Sequence, residues 1–170
     1  MNHAAVHHSV EPLPPSAISY LRTLLRCGLA EAVPSPSITP PQGLLLFSLT
    51  YGAGASVEEL ARMRLEFLLC ADGMPSHEVR FDPSVTKHRT TRGVAMHADI
   101  AADVLAFRDA FPDERWVAFP GPRRGASGRA HLPASAITRW FRGCLCEAGL
   151  GGFSIASGRK AFNLNHRRAR

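Results

Sequence analysis

The sequence predicts an α+β fold that is mostly helical, with a small antiparallel β hairpin or three-stranded sheet on one edge. Several segments repeat apolar residues at helical spacing, whereas residues 78–96 alternate apolar and polar side chains as strands do. The chain has 170 residues, 45% of them hydrophobic, which is enough for one core of ordinary size. We therefore expect a short β unit with helices before and after it in the chain.

The first residues predict a leader followed by a helix. Residues 1–15 contain three histidines and several prolines without apolar periodicity, which favours a flexible leader over a metal site. A helix is predicted over residues 16–29, with Leu21 and Leu25 on its apolar face. Ser16 is the expected cap of this helix.

A proline-rich segment separates this helix from the most apolar part of the chain. Four prolines within residues 34–41 indicate a linker. Residues 42–51 are apolar on nearly every side, which predicts a helix at the centre of the core. Ser56 and Glu59 have the spacing of a capping box, so a further helix is predicted to begin there and to extend to Arg64.

The second half of the chain changes from strands back to helices. Alternation in residues 78–96, interrupted by a polar turn at 87–92, predicts the hairpin. Helical spacing returns in residues 98–111 and 134–148, and residues 116–119 are expected to be extended.

The charge of the chain is positive and is carried by arginine. The net charge is +6 and Lys87 and Lys160 are the only lysines, while the pI is about 9.8. Guanidinium groups form hydrogen bonds with phosphate oxygens, so this positive charge is compatible with binding to nucleic acid. A genome that uses arginine codons freely would give the same composition, and composition does not separate the two.

The spacing of the cysteines and the hydropathy of the chain indicate in which compartment the protein is located. Cys27, Cys70, Cys144 and Cys146 form no C-x-x-C pair, which favours reduced core residues over a zinc site or disulfides. The longest apolar stretch, 43–49, is too short to span a bilayer, and no secretory signal is visible. We expect a soluble, cytoplasmic protein without membrane partners, metal or cofactor.

Residues 155–162 are the most informative segment of the chain and read IASGRKAF. This segment resembles the second catalytic motif of the tyrosine recombinases, the phage-integrase family, whose usual form is His-x-x-Arg followed by a basic residue, Thr and Phe. Arg159 stands at the arginine position and Ala156 at the histidine position.

Two earlier segments resemble the same family in the expected order. Residues 45–60, LLFSLTYGAGASVEEL, resemble the apolar helix followed by Tyr-x-x-Gly and x-Arg-x-x-Glu-Leu. Residues 86–97, TKHRTTRGVAMH, resemble the hairpin that carries the catalytic lysine. The resemblance covers about residues 44–162 and implies a truncated integrase-like catalytic domain over residues 42–170. Residues 16–41 would then be a helix plus linker.

The family reaction shows which residues this chain keeps and which it lacks. In the family a tyrosine hydroxyl attacks a DNA phosphodiester, while arginines, a lysine and histidines stabilise the phosphoryl oxygens and protonate the leaving hydroxyl. The resemblance implies catalytic positions for Lys87 and Arg159. Ser56 replaces the family's first arginine and Ala156 its histidine, and Ala156 is expected to pack at a helix start.

The nucleophile has no counterpart in the sequence. Only eight residues follow Phe162 and none is a tyrosine. Tyr20 and Tyr51 both precede Lys87; we expect Tyr51 in the core and Tyr20 on the surface or in a satellite core. The sequence therefore predicts a chain that does not cleave or rejoin DNA alone.

Contact with DNA is a separate expectation, because basic residues cluster near the motif positions. The predicted DNA-binding residues are Lys87, Arg89, Arg92, Arg123, Arg124, Arg129 and Lys160, with the arginines at 159, 167, 168 and 170 on the same basic face. Solvated charges without a partner are expected instead at Arg62, Arg64, Arg108 and Arg115.

Three functions are compatible with these features. The first is a degenerate recombinase catalytic domain that binds double-stranded DNA. The second is a non-enzymatic module that binds DNA or an intact recombinase; since the sequence ends before the helix that the family exchanges between protomers, it would accept a partner's segment without returning one. The third is an inactive fragment of a disrupted mobile-element gene.

Overall fold

The structure of the protein, a computed structural model, describes residues 11–33, 38–86, 90–120 and 131–168, with the backbone alone at residues 31 and 165–168. The helices, in chain order, are α1 Pro15–Arg26, α2 Leu29–Ala32, α3 Pro40–Ala53, α4 Val57–Arg62, α5 Ala98–Ala110, α6 Ala134–Glu147 and α7 Ile155–Arg168. Strands β1 Glu78–Phe81 and β2 Arg92–Ala95 lie between α4 and α5, preceded by a 3₁₀ turn at Leu65–Phe67.

The predicted mostly helical α+β class is confirmed. Strands β1 and β2 pair antiparallel, with Val79 opposite Val94 and Phe81 opposite Arg92. Val79 and Phe81 are buried, whereas Glu78 and Arg80 are exposed, as alternation requires. Val85 lies in the turn after β1 and is buried there.

Helix α1 begins earlier and ends earlier than predicted. Pro14 is the residue before the helix and Pro15 opens it, where the missing amide of proline costs nothing, so Ser16 is not the cap. Leu13 is only 2% exposed, so the predicted leader cannot reach residue 15; residues 1–10 lie outside the described part. Gly28, at φ 96°, turns the chain into α2.

Helix α3 is the centre of the fold. It begins at Pro40, so the last two prolines of the predicted linker form its first turn, and residues 34–37 lie outside the described part. Its apolar surface is buried around the whole circumference because α1, α5 and α7 pack against it. Gly54, at φ 65°, ends the helix in the left-handed region.

The predicted capping box at the start of α4 is confirmed. The Glu59 amide donates to Ser56 Oγ at 3.2 Å, and the Ser56 amide donates to Glu59 Oε2 at 2.7 Å. The helix ends at Arg62, two residues before the predicted end, and Arg64 instead pairs with Trp116 in an antiparallel bridge.

A buried ion pair fastens α1 to the rest of the core. Arg22 Nη2 lies 2.8 Å from Asp103 Oδ2 of α5, and Arg22 Nη1 donates to Ser48 Oγ of α3. The Ser48 hydroxyl donates in turn to the same Asp103 oxygen. Side chains of three helices therefore share one charged contact inside a single core that also holds Leu21 and Leu25.

All four cysteines are free thiols, but their predicted core position is right for one residue and wrong for three. Cys144 is buried on the inner face of α6, but Cys27, Cys70 and Cys146 are exposed. Cys27 follows the end of α1, Cys70 precedes a turn, and Cys146 is on the outward face of α6, so none of these positions requires an apolar side chain.

Neither a membrane span nor a metal cluster is present in the described ranges. None of their helices combines the length and apolar character needed to cross a bilayer. Within the same ranges, no three His, Cys, Asp or Glu side chains are grouped to hold a metal ion.

Candidate functional site

A cavity of about 1060 Å³ lies where α4, the β1–β2 connection and α7 meet. Helix α4 and its cap contribute Ser56, Glu58, Glu59 and Arg62. The hairpin contributes residues 83–86, Thr90 and Arg92, and α7 contributes Arg159. Two motif positions that are about one hundred residues apart in the sequence, Ser56 and Arg159, therefore line one cavity.

Arg159 reaches the cavity because α7 docks closely on the end of α3. The ring of Tyr51 fills the space beside Gly158, and the ring of Phe162 lies over Gly54. The Ser157 carbonyl accepts from the Leu13 amide at 3.3 Å, and the buried Ser157 hydroxyl accepts from the Ser154 amide at 3.1 Å. These contacts fix the first turns of α7, on which Arg159 is exposed.

Ala156 does not take part in the cavity. It is exposed on α7 and is absent from the residues that line the cavity wall. The expectation that it packs at the helix start is therefore wrong; the buried residues of this turn are Ser157, at 2% exposure, and Gly158. The position that holds histidine in the family motif faces solvent in this chain.

Arg92 is part of the cavity wall and is held there by several hydrogen bonds. Its Nε and Nη2 donate to the two carboxylate oxygens of Glu59 at 3.4 and 2.9 Å. Its Nη1 and Nη2 also donate to the carbonyls of Ala53 and Gly54 at 3.2 and 3.3 Å. The guanidinium carbon is 3.5 Å from the centre of the Phe81 ring. Because most of its donors are engaged, Arg92 braces the hairpin against α4 and has little capacity left for the DNA contact predicted from sequence.

The base of the hairpin turn is closed by two threonines. Thr86 Oγ1 accepts from the Thr90 amide at 3.0 Å and donates to the Thr90 carbonyl at 2.9 Å. Both threonines line the cavity. The turn residues Lys87 and Arg89 lie outside the described part of the chain.

The remaining predicted DNA-binding residues divide in two groups. Lys160 is exposed on α7 beside Arg159 and does not line the cavity. The others fall outside the described residues, or have side chains that do: Arg123, Arg124, Arg129, Arg167, Arg168 and Arg170.

Arg62 is the cavity residue that the sequence interpretation missed. It was expected to be a solvated charge, yet it lines the cavity from the last position of α4. Among the described residues neither Arg62 nor Arg159 has an ion pair. The only signal in the sequence was its place six residues after Ser56 on a predicted helix, which does not show which face of the helix it occupies.

Two other arginines that were expected to be solvated, Arg64 and Arg108, have partners of their own. Arg64 pairs with Glu66 at 2.6 Å and lies 5.2 Å from the centre of the Trp116 ring. Arg108 Nη1 donates to the Gly73 carbonyl at 2.6 Å and Nη2 pairs with Asp109 at 2.7 Å.

Neither tyrosine is placed to act as a nucleophile at this cavity. Tyr51 is buried, its ring centre 4.4 Å from that of Phe47, which confirms the predicted core position. Burial raises the pKa of its hydroxyl far above the ordinary value, and that hydroxyl has no hydrogen-bond partner among the described residues. Tyr20 is 49% exposed on α1, so of the two positions expected from the sequence it takes the surface one.

Comparisons of the chain with protein-family models, with curated proteins and with solved structures give no match. The relationship to tyrosine recombinases is therefore a proposal supported by the residues of this chain.

Proposed function

We propose that this chain is a degenerate tyrosine-recombinase-like catalytic domain that binds double-stranded DNA without cleaving it. The observation that carries the proposal is the convergence of Ser56, Thr86 and Arg159 on one cavity. The resemblance selects these three segments by sequence alone, and Thr86 directly precedes Lys87, the position that resembles the catalytic lysine. A recombinase-like catalytic domain would bring these three segments together in this way.

The chemistry at the cavity favours binding over cleavage. Ser56 Oγ accepts the Glu59 amide and holds no positive charge, and Ala156 faces solvent. Loss of one preorganised donor to a developing charge typically lowers a rate by about 100- to 1,000-fold. Two such groups are replaced here, and Tyr51 is buried away from any substrate.

What the cavity retains is suited to a phosphodiester. Arg159 is exposed on it and has no described counter-ion, so its planar donors are available to phosphate oxygens. Binding through such contacts releases counterions, so affinity should fall steeply as salt rises.

The test is a titration of a fluorescent duplex by the purified chain between 50 and 200 mM salt. Arg159→Ala should weaken binding and lower the slope of log K against log salt by about 1. Arg139→Ala is the matched control, because Arg139 is an exposed arginine on α6 away from the cavity. Equal affinities for the two variants, or binding that ignores salt, would refute the proposal.

A second assay addresses cleavage. A nicked suicide duplex traps the covalent adduct that an active recombinase forms with its substrate. We expect no such adduct with this chain at any protein concentration. A covalent protein–DNA species would show that the chain is an enzyme.

A further inference from the structure

We infer that Arg62 is the second phosphate-binding residue of the cavity and that, together with Arg159, it makes the charge of the described cavity wall positive. This inference rests on the proposed function, since the ligand is the phosphodiester backbone of double-stranded DNA. Neither the family motif nor the sequence pattern assigns Arg62 any role.

The first argument is availability. Arg62 is the last residue of α4, is exposed, and lines the same cavity as Arg159. The third arginine of the wall, Arg92, is already held by Glu59 at 2.9 Å. Of the arginines on the described cavity wall, Arg62 and Arg159 are thus the two whose donors are not engaged by a described partner.

The second argument is charge. Among the described residues, the wall carries the cations Arg62, Arg92 and Arg159 and the anions Glu58 and Glu59. Arg92 and Glu59 neutralise each other, which leaves Arg62 and Arg159 against Glu58. Without Arg62 the remaining two charges cancel, so the excess of one positive charge depends on this residue.

The third argument is position. Ser56 precedes the first turn of α4 and Arg62 ends the helix, a separation of about 9 Å along the axis at 1.5 Å per residue. Arg62 therefore approaches the cavity from the opposite end of α4. A cation there supplies charge without disturbing the capping box that Ser56 and Glu59 form.

Glu58 provides a second, independent test of the inference. It is exposed on α4 and lines the cavity, so its carboxylate opposes an anionic ligand. If the sign of the cavity controls binding, neutralising Glu58 must act in the direction opposite to neutralising Arg62. A role for Arg62 in folding alone would not produce this opposition.

The experiment is the duplex titration with Arg62→Ala, Arg62→Lys, Glu58→Gln and the control Arg139→Ala. Arg62→Ala should weaken binding by about tenfold and reduce the salt slope by about 1, since a charged hydrogen bond to phosphate is lost. Arg62→Lys should retain most of the affinity, and Glu58→Gln should tighten binding. Matching thermal unfolding midpoints verify that each variant is folded.

The outcomes separate the two proposals. If Arg62→Ala binds like Arg139→Ala while Arg159→Ala is weakened, the inference fails and the proposed function stands. If the wild-type chain does not bind the duplex, the proposed function fails, and the inference fails with it.

Inorganic phosphate serves as the second probe, because a free anion offers the same oxygens as DNA. Phosphate at millimolar concentration should displace the duplex from the wild-type chain better than chloride of equal ionic strength, and Arg62→Ala should reduce this advantage. An advantage of the same size in both proteins would mean that Arg62 does not contact phosphate and would overturn the inference.

Discussion

The ring of Tyr51 occupies the space that a side chain at position 158 would need. A Cβ atom on Gly158 would lie 2.7 Å from both Cδ1 and Cζ of that ring, closer than real Cβ atoms approach other atoms. One turn later the relation is reversed, since a Cβ on Gly54 would lie 2.9 Å from Cε1 of Phe162. Each helix thus contributes one glycine and one aromatic ring to the α3–α7 contact, and Arg159 adjoins the first of these glycines.

Gly158→Ala should destabilise the protein. Helix propensity favours alanine by about 1 kcal/mol, but overpacking against the Tyr51 ring costs about 1–3 kcal/mol, so the net loss of stability should be at most about 2 kcal/mol. Urea unfolding measures this difference. Gly152→Ala is the control, because a Cβ there meets nothing within 4 Å. A Gly158→Ala variant more stable than wild type would show that α7 does not dock as described.

Tyr51→Phe should preserve stability at neutral pH and improve it in alkali. The buried hydroxyl has no described partner, so its removal leaves no hydrogen bond unmade. Its pKa is raised by burial, so at high pH the unfolded state ionises while the folded state does not. Ionisation of Tyr51 therefore leaves the free energy of unfolding unchanged below the ordinary pKa of tyrosine, about 10, and lowers it above that pH.

Unfolding free energies measured from pH 8 to pH 11 test this behaviour. The wild-type curve should fall more steeply than that of Tyr51→Phe over the alkaline part of the range. Identical slopes for the two proteins would mean that the Tyr51 hydroxyl is accessible to water in the folded state.

Cys144 should be the cysteine that resists modification. It is buried, and burial raises the pKa of its thiol from 9.0 to about 12, so little thiolate forms at pH 8. Cys27, Cys70 and Cys146 are exposed and should react with iodoacetamide in the native protein. Mass spectrometry should show three labels in buffer and a fourth in urea; rapid labelling of Cys144 in buffer would contradict its placement.

Ser56→Ala should destabilise the protein by about 1 kcal/mol, since the Glu59 amide loses its acceptor. Ser56→Thr retains a hydroxyl and should lie close to wild type. Thermal or urea unfolding distinguishes the two variants. Equal stability of the alanine and threonine variants would indicate that the capping box contributes nothing.

Asp103→Asn should be among the most damaging single substitutions. It leaves the Arg22 guanidinium, only 12% exposed, with the exposed Asp99 carboxylate at 3.7 Å as its nearest anion, and breaking a buried pair in this way costs about 3–5 kcal/mol. Glu66→Gln is the matched control, because it breaks the exposed pair with Arg64 and should cost at most about 1 kcal/mol. Comparable losses for both substitutions would show that the Arg22 network is solvated.

Local patterns predicted the elements well where one short segment determines the structure. The capping box at Ser56 depends on two residues three positions apart, and the pairing of β1 with β2 depends on local alternation. The boundaries of α1 and α3 were misplaced because Pro15 and Pro40 were interpreted as breakers, although proline is well suited to the first helical turn.

The candidate site could be predicted only in part. Motif resemblance located Ser56 and Arg159, but the ion pair between Arg92 and Glu59 joins residues 33 positions apart and has no local signature. The same limit applies to Arg62, since the choice between cavity and open solvent depends on where β1–β2 and α7 pack. Cys70 and Cys146 illustrate the reverse error, in which a residue type that is usually buried stands at an exposed position.

The buried contact of Arg22 holds α1 to the rest of the protein independently of the peptide backbone. Helix α1 is held by its own leucines and by a guanidinium that reaches both α3 and α5. Helix α1 therefore has noncovalent contacts of its own that hold it to α3 and α5. If the peptide link between α2 and α3 were absent, the first helix would behave as a bound peptide that complements the remaining chain and separates only when the protein unfolds.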